Sequence, residues 1–147
     1  MAIEKISDYL YVSNQLDERT VKRIAQFEDV KTVICNRPDG EEPNQPSFAT
    51  VKQWFNDAGI ENVYYLPVTL ANIADDAVLR EFQDTIAKSP APILAYCRTG
   101  TRSALLWALN QAKRGVEVNS LIKAAELAGV DLSRARDKLE AVYAKRG

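Results

Sequence analysis

The chain reads as an α/β protein: one domain over residues 1–147, with a mainly parallel central sheet flanked by helices. Three observations predict this. Short apolar runs recur at "VKTVIC" (30–35), "NVYYLPV" (62–68) and "APILAY" (91–96). Stretches with helical spacing separate them. The length of 147 residues suits one domain, which at this size buries roughly 70% of its unfolded surface.

Each element has its own local reason. "KISDYLYVSNQL" (5–16) holds two short apolar pieces and reads as a hairpin or edge strand. Asp17 caps the following "ERTVKRIAQFE", where Val21, Ile24, Ala25 and Phe27 fall near helical spacing. "VKTVIC" is β-branched and is ended by the turn residues of "NRPDGEEPNQPS" (36–47), a polar stretch with three prolines that reads as surface loop. "FATVKQWFNDAG" reads as a helix with Gly59 just past its end. Asp75 or Asp76 is placed to cap "AVLREFQDTIAKS". "SALLWALNQAKRG" carries Lys113 and Arg114 in its last turn, where cations suit the helix dipole. "VNSLIKAAELAG" and "LSRARDKLEAVYAKR" make the last third helical.

Composition excludes several classes of function. Nineteen basic residues balance twenty acidic ones, for a formal net charge of -1, so no global field calls for nucleic acid. No apolar run is long enough to span a membrane and no basic-then-apolar leader is present, so a cytoplasmic location is expected. Histidine is absent. That removes Ser-His-Asp and Cys-His catalysis and any His-ligated metal, and no cofactor is implied. Two cysteines in a chain of this size do not make a disulfide scaffold.

The chemistry concentrates in "ILAYCRTGTRSA" (93–104). Cys97 stands at the carboxyl end of a buried strand, where ligands bind in parallel sheets. Gly100 allows backbone angles that other residues resist. The amides of Arg98, Thr99, Gly100, Thr101 and Arg102 are placed to line a nest for an anion, and the next helix adds the positive end of its dipole. Arg102 adds a fork of donors and Arg98 a second cation. Helix N-termini and cations favour a thiolate, so this cradle predicts an activated Cys97 nucleophile without histidine. A core thiol beside solvated arginines is the simpler alternative.

"YCRTGTRSA" resembles the active-site loop of rhodanese sulfurtransferases, which a cysteine opens and an arginine closes. "KISDYLYVSNQL", "VKTVICNRPDGEE" and "VYYLPV" resemble the cysteine-based dual-specificity phosphatases. The combination is similar to a small bacterial family with a phosphatase fold and a rhodanese-type loop, some of whose members are fused to beta-lactamase-like sulfur dioxygenase domains. The resemblance implies catalytic roles for Cys97 and Arg102. It implies anion binding by Arg98, Thr99, Gly100, Thr101 and Ser103. It also puts Arg37 on a neighbouring strand end, where it either guides an anion toward Cys97 or faces water.

Ring size divides two activities. Phosphatases place five residues between cysteine and arginine, whereas four separate Cys97 from Arg102, and Ser103 stands where their arginine would be. Tyr96 replaces their usual histidine, and "LPVTLANIADDAV" has Thr69 and Leu70 where their aspartate acid is expected. A positioned acid is worth about 10²–10⁴-fold, and sulfite or a thiolate leaves without one. The sequence expectation is therefore sulfur transfer through a Cys97 persulfide. Its partners would be a small anionic sulfur donor, a thiol, sulfite or cyanide acceptor, and a sulfur dioxygenase. A phosphatase using a phosphocysteine is the alternative, and a non-catalytic anion-binding module is a third class. Cys35 is expected to be a buried thiol rather than a disulfide partner of Cys97. Asp75 and Asp76 are expected to serve as helix caps rather than as the acid.

Overall fold

The computed structural model describes residues 3–146. Five strands form one sheet in the order β1-β2-β5-β3-β4. They are β1 (Glu4–Lys5), β2 (Leu10–Ser13), β3 (Thr32–Cys35), β4 (Asn62–Tyr65) and β5 (Ile93–Tyr96). Only β1 runs antiparallel, against β2; every other pairing is parallel. The α/β expectation therefore holds. The expected first hairpin forms too, but β2 lies inside the sheet, bonded to both β1 and β5. Its apolar Leu10 and Val12 match that inner position, with both side chains buried.

The helices are α1 (Glu18–Phe27), α2 (Phe48–Asp57), α3 (Asp76–Lys88), α4 (Thr101–Lys113), α5 (Val118–Leu127) and α6 (Arg136–Ala144), with a single 3₁₀ turn at Ser133–Ala135 before α6. Their starts follow from the sequence. The Asp17 carboxylate accepts from the Thr20 amide and the Ser47 hydroxyl from the Thr50 amide, each filling one of the orphan donors of a first turn.

Strand alternation splits the core into two layers. Val33, Cys35, Leu94 and Tyr96 pack with Val21, Ile24, Val51 and Phe55 of α1 and α2. Leu10, Ile34, Ile93 and Ala95 pack with Leu79 and Phe82 of α3, Leu105 to Leu109 of α4, Leu121 of α5 and Leu139 of α6. The central α4 is the most buried helix, with nine buried residues. The loop from β5 into α4 is thus held between a fully buried strand and a fully seated helix, which fixes what it carries.

Cys35 and Tyr96 are directly paired across β3 and β5 and share the α1–α2 layer. Alternation turns the next residue, Cys97, to the other face. The two thiols are free. Burial pushes the Cys35 thiol up to about 11, in keeping with an inert core thiol.

Candidate active site

The strand-to-helix loop is set by two backbone features. The Cys97 amide continues the ladder by donating to the Ser13 carbonyl at 3.3 Å, and the Gln15 amide donates to the Arg98 carbonyl at 3.2 Å. Gly100 then takes φ 93°, a left-handed angle, as the residue before α4. That turn aims its amide back at the cysteine, and Gly100 N donates to Cys97 Sγ at 3.1 Å. A side chain at this position would be strained by the angle. We expect Gly100→Ala to cost about 1–2 kcal/mol and to swing the amide off the sulfur. Urea denaturation checks the first effect, and loss of Cys97-dependent turnover the second.

Cys97 itself is 0% exposed. Arg102 lies in the first turn of α4, with a side chain only 13% exposed. Its Nη1 donates to Glu41 Oε2 at 2.9 Å and to the Val68 carbonyl at 2.9 Å, and its Nη2 donates to Glu41 Oε1 at 2.8 Å. This is a two-pronged guanidinium–carboxylate pair of the strong kind. It raises the Arg102 pKa, with Glu41 as the largest cause and the Cys97 sulfur among the others.

Arg37 follows β3 and is 3% exposed. Its Nε donates to Glu41 Oε1 at 2.9 Å, its Nη1 to Gln15 Oε1 at 3.1 Å and its Nη2 to Glu42 Oε1 at 2.7 Å. Arg98 is mostly exposed and donates from Nε to the same Glu42 oxygen at 2.9 Å. Arg37, Arg98 and Arg102, three cations suggested by the sequence, are therefore tied together by two adjacent carboxylates. A cleft of about 470 Å³ opens beside them, lined by Gln15, Arg37, Glu42, Pro43, Arg98 and Thr99, with more of the 43–46 segment.

The remaining loop residues have varied surroundings. The Thr99 and Thr101 hydroxyls lie 3.1 Å apart at the rim. Ser103 is wholly buried and donates to Asn36 Oδ1 at 2.8 Å, while Asn36 Nδ2 donates to the Leu66 carbonyl at 2.9 Å. The Ser103 hydroxyl thus ties the first turn of α4 to the end of β3. Asp76 lies elsewhere: it meets Lys113 at 3.9 Å, at the far end of α4. A 13-residue helix is about 20 Å long, so Asp76 is remote from Cys97. Asp75 is the residue before α3, and its carboxylate makes no capping hydrogen bond.

Residues 3–114 match the family model described as beta-lactamase hydrolase-like protein, phosphatase-like domain. The chain belongs to this family. The phosphatase-like domain is 34% identical over 111 residues to a beta-lactamase hydrolase-like protein of Agrobacterium fabrum, covering 75% of this chain and 25% of that protein. It is 33% identical over 141 residues to one of Xylella fastidiosa 9a5c, covering 95% and 32%. The chain thus spans about a third or less of the length of these relatives. Among solved structures, a candidate phosphatase from Neisseria meningitidis Z2491 is 43% identical, with a TM-score of 0.91, covering 97% of this chain and 99% of that one. The core catalytic domain of the yeast PP-IP phosphatase SIW14 shares the fold at 16% identity, with a TM-score of 0.70, covering 95% and 82%. The phosphatase-like fold expected from the sequence is thereby established, and the family match ends at the close of α4. No helix among the described residues is long and apolar enough to cross a membrane.

Sequence reasoning missed Glu41 and Glu42 in the phosphatase-like domain. They sit in "NRPDGEEPNQPS", a segment with no periodicity that reads as solvated loop. The signal was there: two adjacent acids a few residues after Arg37, in a chain whose cysteine loop carries two arginines. The Arg102 hydrogen bonds, reinforced by Arg37, pull the Glu41 carboxyl down to about 2. Arg98 and then Arg37 lower that of Glu42. A depressed carboxylate pKa contributes stability that is complete above its unfolded value, near 4.5, and is lost as pH falls toward 2. Melting temperatures between pH 6 and 2.5 should fall more steeply for the native chain than for Glu41→Gln, which has no such titration.

Proposed function

We propose that this domain is a cysteine-dependent phosphatase acting on phosphate monoesters. The observation that carries the reading is the grouping of a buried Cys97, the Gly100 amide on its sulfur and Arg102 in the first turn of the helix that follows, where β5 enters α4. Membership of a phosphatase-like family supports it, as does the likeness to the Neisseria candidate phosphatase.

In this reading the Cys97 thiolate attacks phosphorus. An S–P bond forms as the bond to the ester oxygen breaks, and the leaving oxygen takes a proton from solvent. The Gly100 amide and Arg102 stabilise charge on the phosphoryl oxygens as it builds. Water then cleaves the phosphocysteine, releasing inorganic phosphate and restoring the thiol. Residues 69–74 hold no acid, and Asp76 is remote. Substrates with weakly basic leaving groups, such as aryl phosphates, are therefore turned over best.

Sulfur transfer is the second reading, favoured by the four-residue spacing from Cys97 to Arg102 and by Ser103 being anchored on Asn36. Here the thiolate attacks the outer sulfur of an anionic donor such as thiosulfate. A Cys97 persulfide forms as sulfite leaves, and an acceptor thiol then takes the sulfane sulfur.

One experiment separates the two. The protein is incubated with an aryl phosphate or with thiosulfate, product is measured, and the chain is weighed intact. Phosphate release that vanishes in Cys97→Ser supports the phosphatase. Gain of one sulfur atom at Cys97 with no phosphate release overturns it in favour of sulfur transfer. Neither product would overturn both readings.

A further inference from the structure

Two adjoining clefts lead from the catalytic loop along α6. The first, of about 380 Å³, begins at Thr101, the first residue of α4. Leu70, Leu105 and Leu132 are its apolar walls, and Arg134 and Lys138 also line it. The second, of about 490 Å³, shares Lys138 and adds Lys113, Lys145 and Arg146. In a chain whose overall net charge is -1, these five cations face only two carboxylates, Asp76 and Asp131. We propose that this groove docks the acidic flank of a phosphorylated polypeptide. The phosphate goes to Cys97, while carboxylates further along the same polypeptide meet Lys138, Lys113 and Lys145. The inference rests on the phosphatase reading and names its substrate class.

Charge and reach both support this occupant. Among the described residues the groove cations form one ion pair, Lys113 with Asp76 at 3.9 Å. Arg134, Lys138 and Lys145 are exposed, and the Asp131 carboxylate is taken by the Ser133 amide at 2.9 Å. Arg136, by contrast, lines neither cleft: it donates to Asn119 at 2.8 Å and pairs with Glu140 at 3.8 Å. Thr101 and Lys113 are the two ends of α4, about 18 Å apart. An extended polypeptide covers that length in about five or six residues. The acidic side chains therefore belong about three to six places from the phosphorylated residue. Apolar walls at the near end suit a peptide side chain rather than a phosphodiester backbone. Asp76 and Asp131, set among the cations, oppose a continuous line of phosphates more than a few spaced carboxylates. Because no acid serves the leaving oxygen, the phosphorylated residue best suited is tyrosine, an aryl ester. Every groove cation except Lys113 lies beyond residue 114, where the family match ends.

The test is steady-state turnover of synthetic phosphotyrosine peptides by the full chain at low ionic strength. One peptide is neutral; two others carry glutamates about three to six places before or after the tyrosine. For the better acidic peptide, kcat/KM is expected to exceed that of the neutral one about tenfold, the scale of a few exposed charge pairs. The gain should fade in high salt. Lys113→Gln, Lys138→Gln and Lys145→Gln combined should bring the ratio within about twofold of unity. Lys138→Gln alone should lower it about threefold and serves if the triple variant misfolds. Arg136→Gln should leave it unchanged. Equal kcat/KM for all three peptides would overturn the inference, as would a ratio untouched by the lysine variants. An equal fall in Arg136→Gln would reduce the groove to a general charge effect. An unphosphorylated acidic peptide is expected to compete. Much stronger competition by single-stranded DNA of the same charge would replace the polypeptide with a nucleic acid. Turnover of an aryl phosphate but of no peptide would overturn this inference alone, whereas turnover of neither would overturn the phosphatase reading beneath it.

Discussion

Cys97→Ser is expected to lower turnover by about 10⁴-fold or more while leaving the melting temperature nearly unchanged. Serine has the same side-chain connectivity as cysteine with a smaller acceptor atom within reach of the Gly100 amide, so the loop keeps its shape. A hydroxyl in a site with no histidine has no base to activate it. Comparing rates with thermal denaturation of the same samples checks both halves. Unchanged turnover in the serine variant would remove Cys97 from the chemistry and leave its thiol as packing.

The second large effect is expected at Arg102. Arg102→Lys keeps the charge and loses the fork. The native side chain satisfies three acceptors at once, two on Glu41 and the Val68 carbonyl, and a lysine ammonium cannot match that planar pattern. We expect turnover to fall about 10²–10³-fold, the usual scale for loss of a donor aimed at developing negative charge. Steady-state kinetics on an aryl phosphate checks it. A fall confined to KM would mean that Arg102 binds the ground state and the transition state alike.

Much of this was legible from local pattern. Asp17 caps α1 because a short side-chain oxygen reaches a nearby amide. β5 was evident from its apolar run, and the cysteine loop from glycine and cations packed into six residues. What escaped was non-local. Glu41 meets Arg102 across 61 positions and Glu42 meets Arg98 across 56. No periodicity announces such pairs, and the prolines around the acids suggested a loop facing water. The same limit applies to Asp76, whose place at the far end of α4 depends on how α3 packs. The expected weight on sulfur transfer came from the loop count, from Tyr96 in place of a histidine and from the missing aspartate acid. Family membership supports phosphate instead, so ring length alone does not decide the chemistry.

The bond from Ser103 to Asn36 has a consequence for engineering. Ser103→Arg would lengthen the ring on paper and restore the phosphatase spacing. The position has no exposed surface, and its hydroxyl is the tie between α4 and the end of β3. The new guanidinium would enter a space built for a hydroxyl, and Asn36 Oδ1 would lose its donor. The size of the Cys97 loop is therefore a property of the hydrophobic core beneath it. Changing it calls for an inserted residue and a repacked helix start, since the loop has no slack of its own to give.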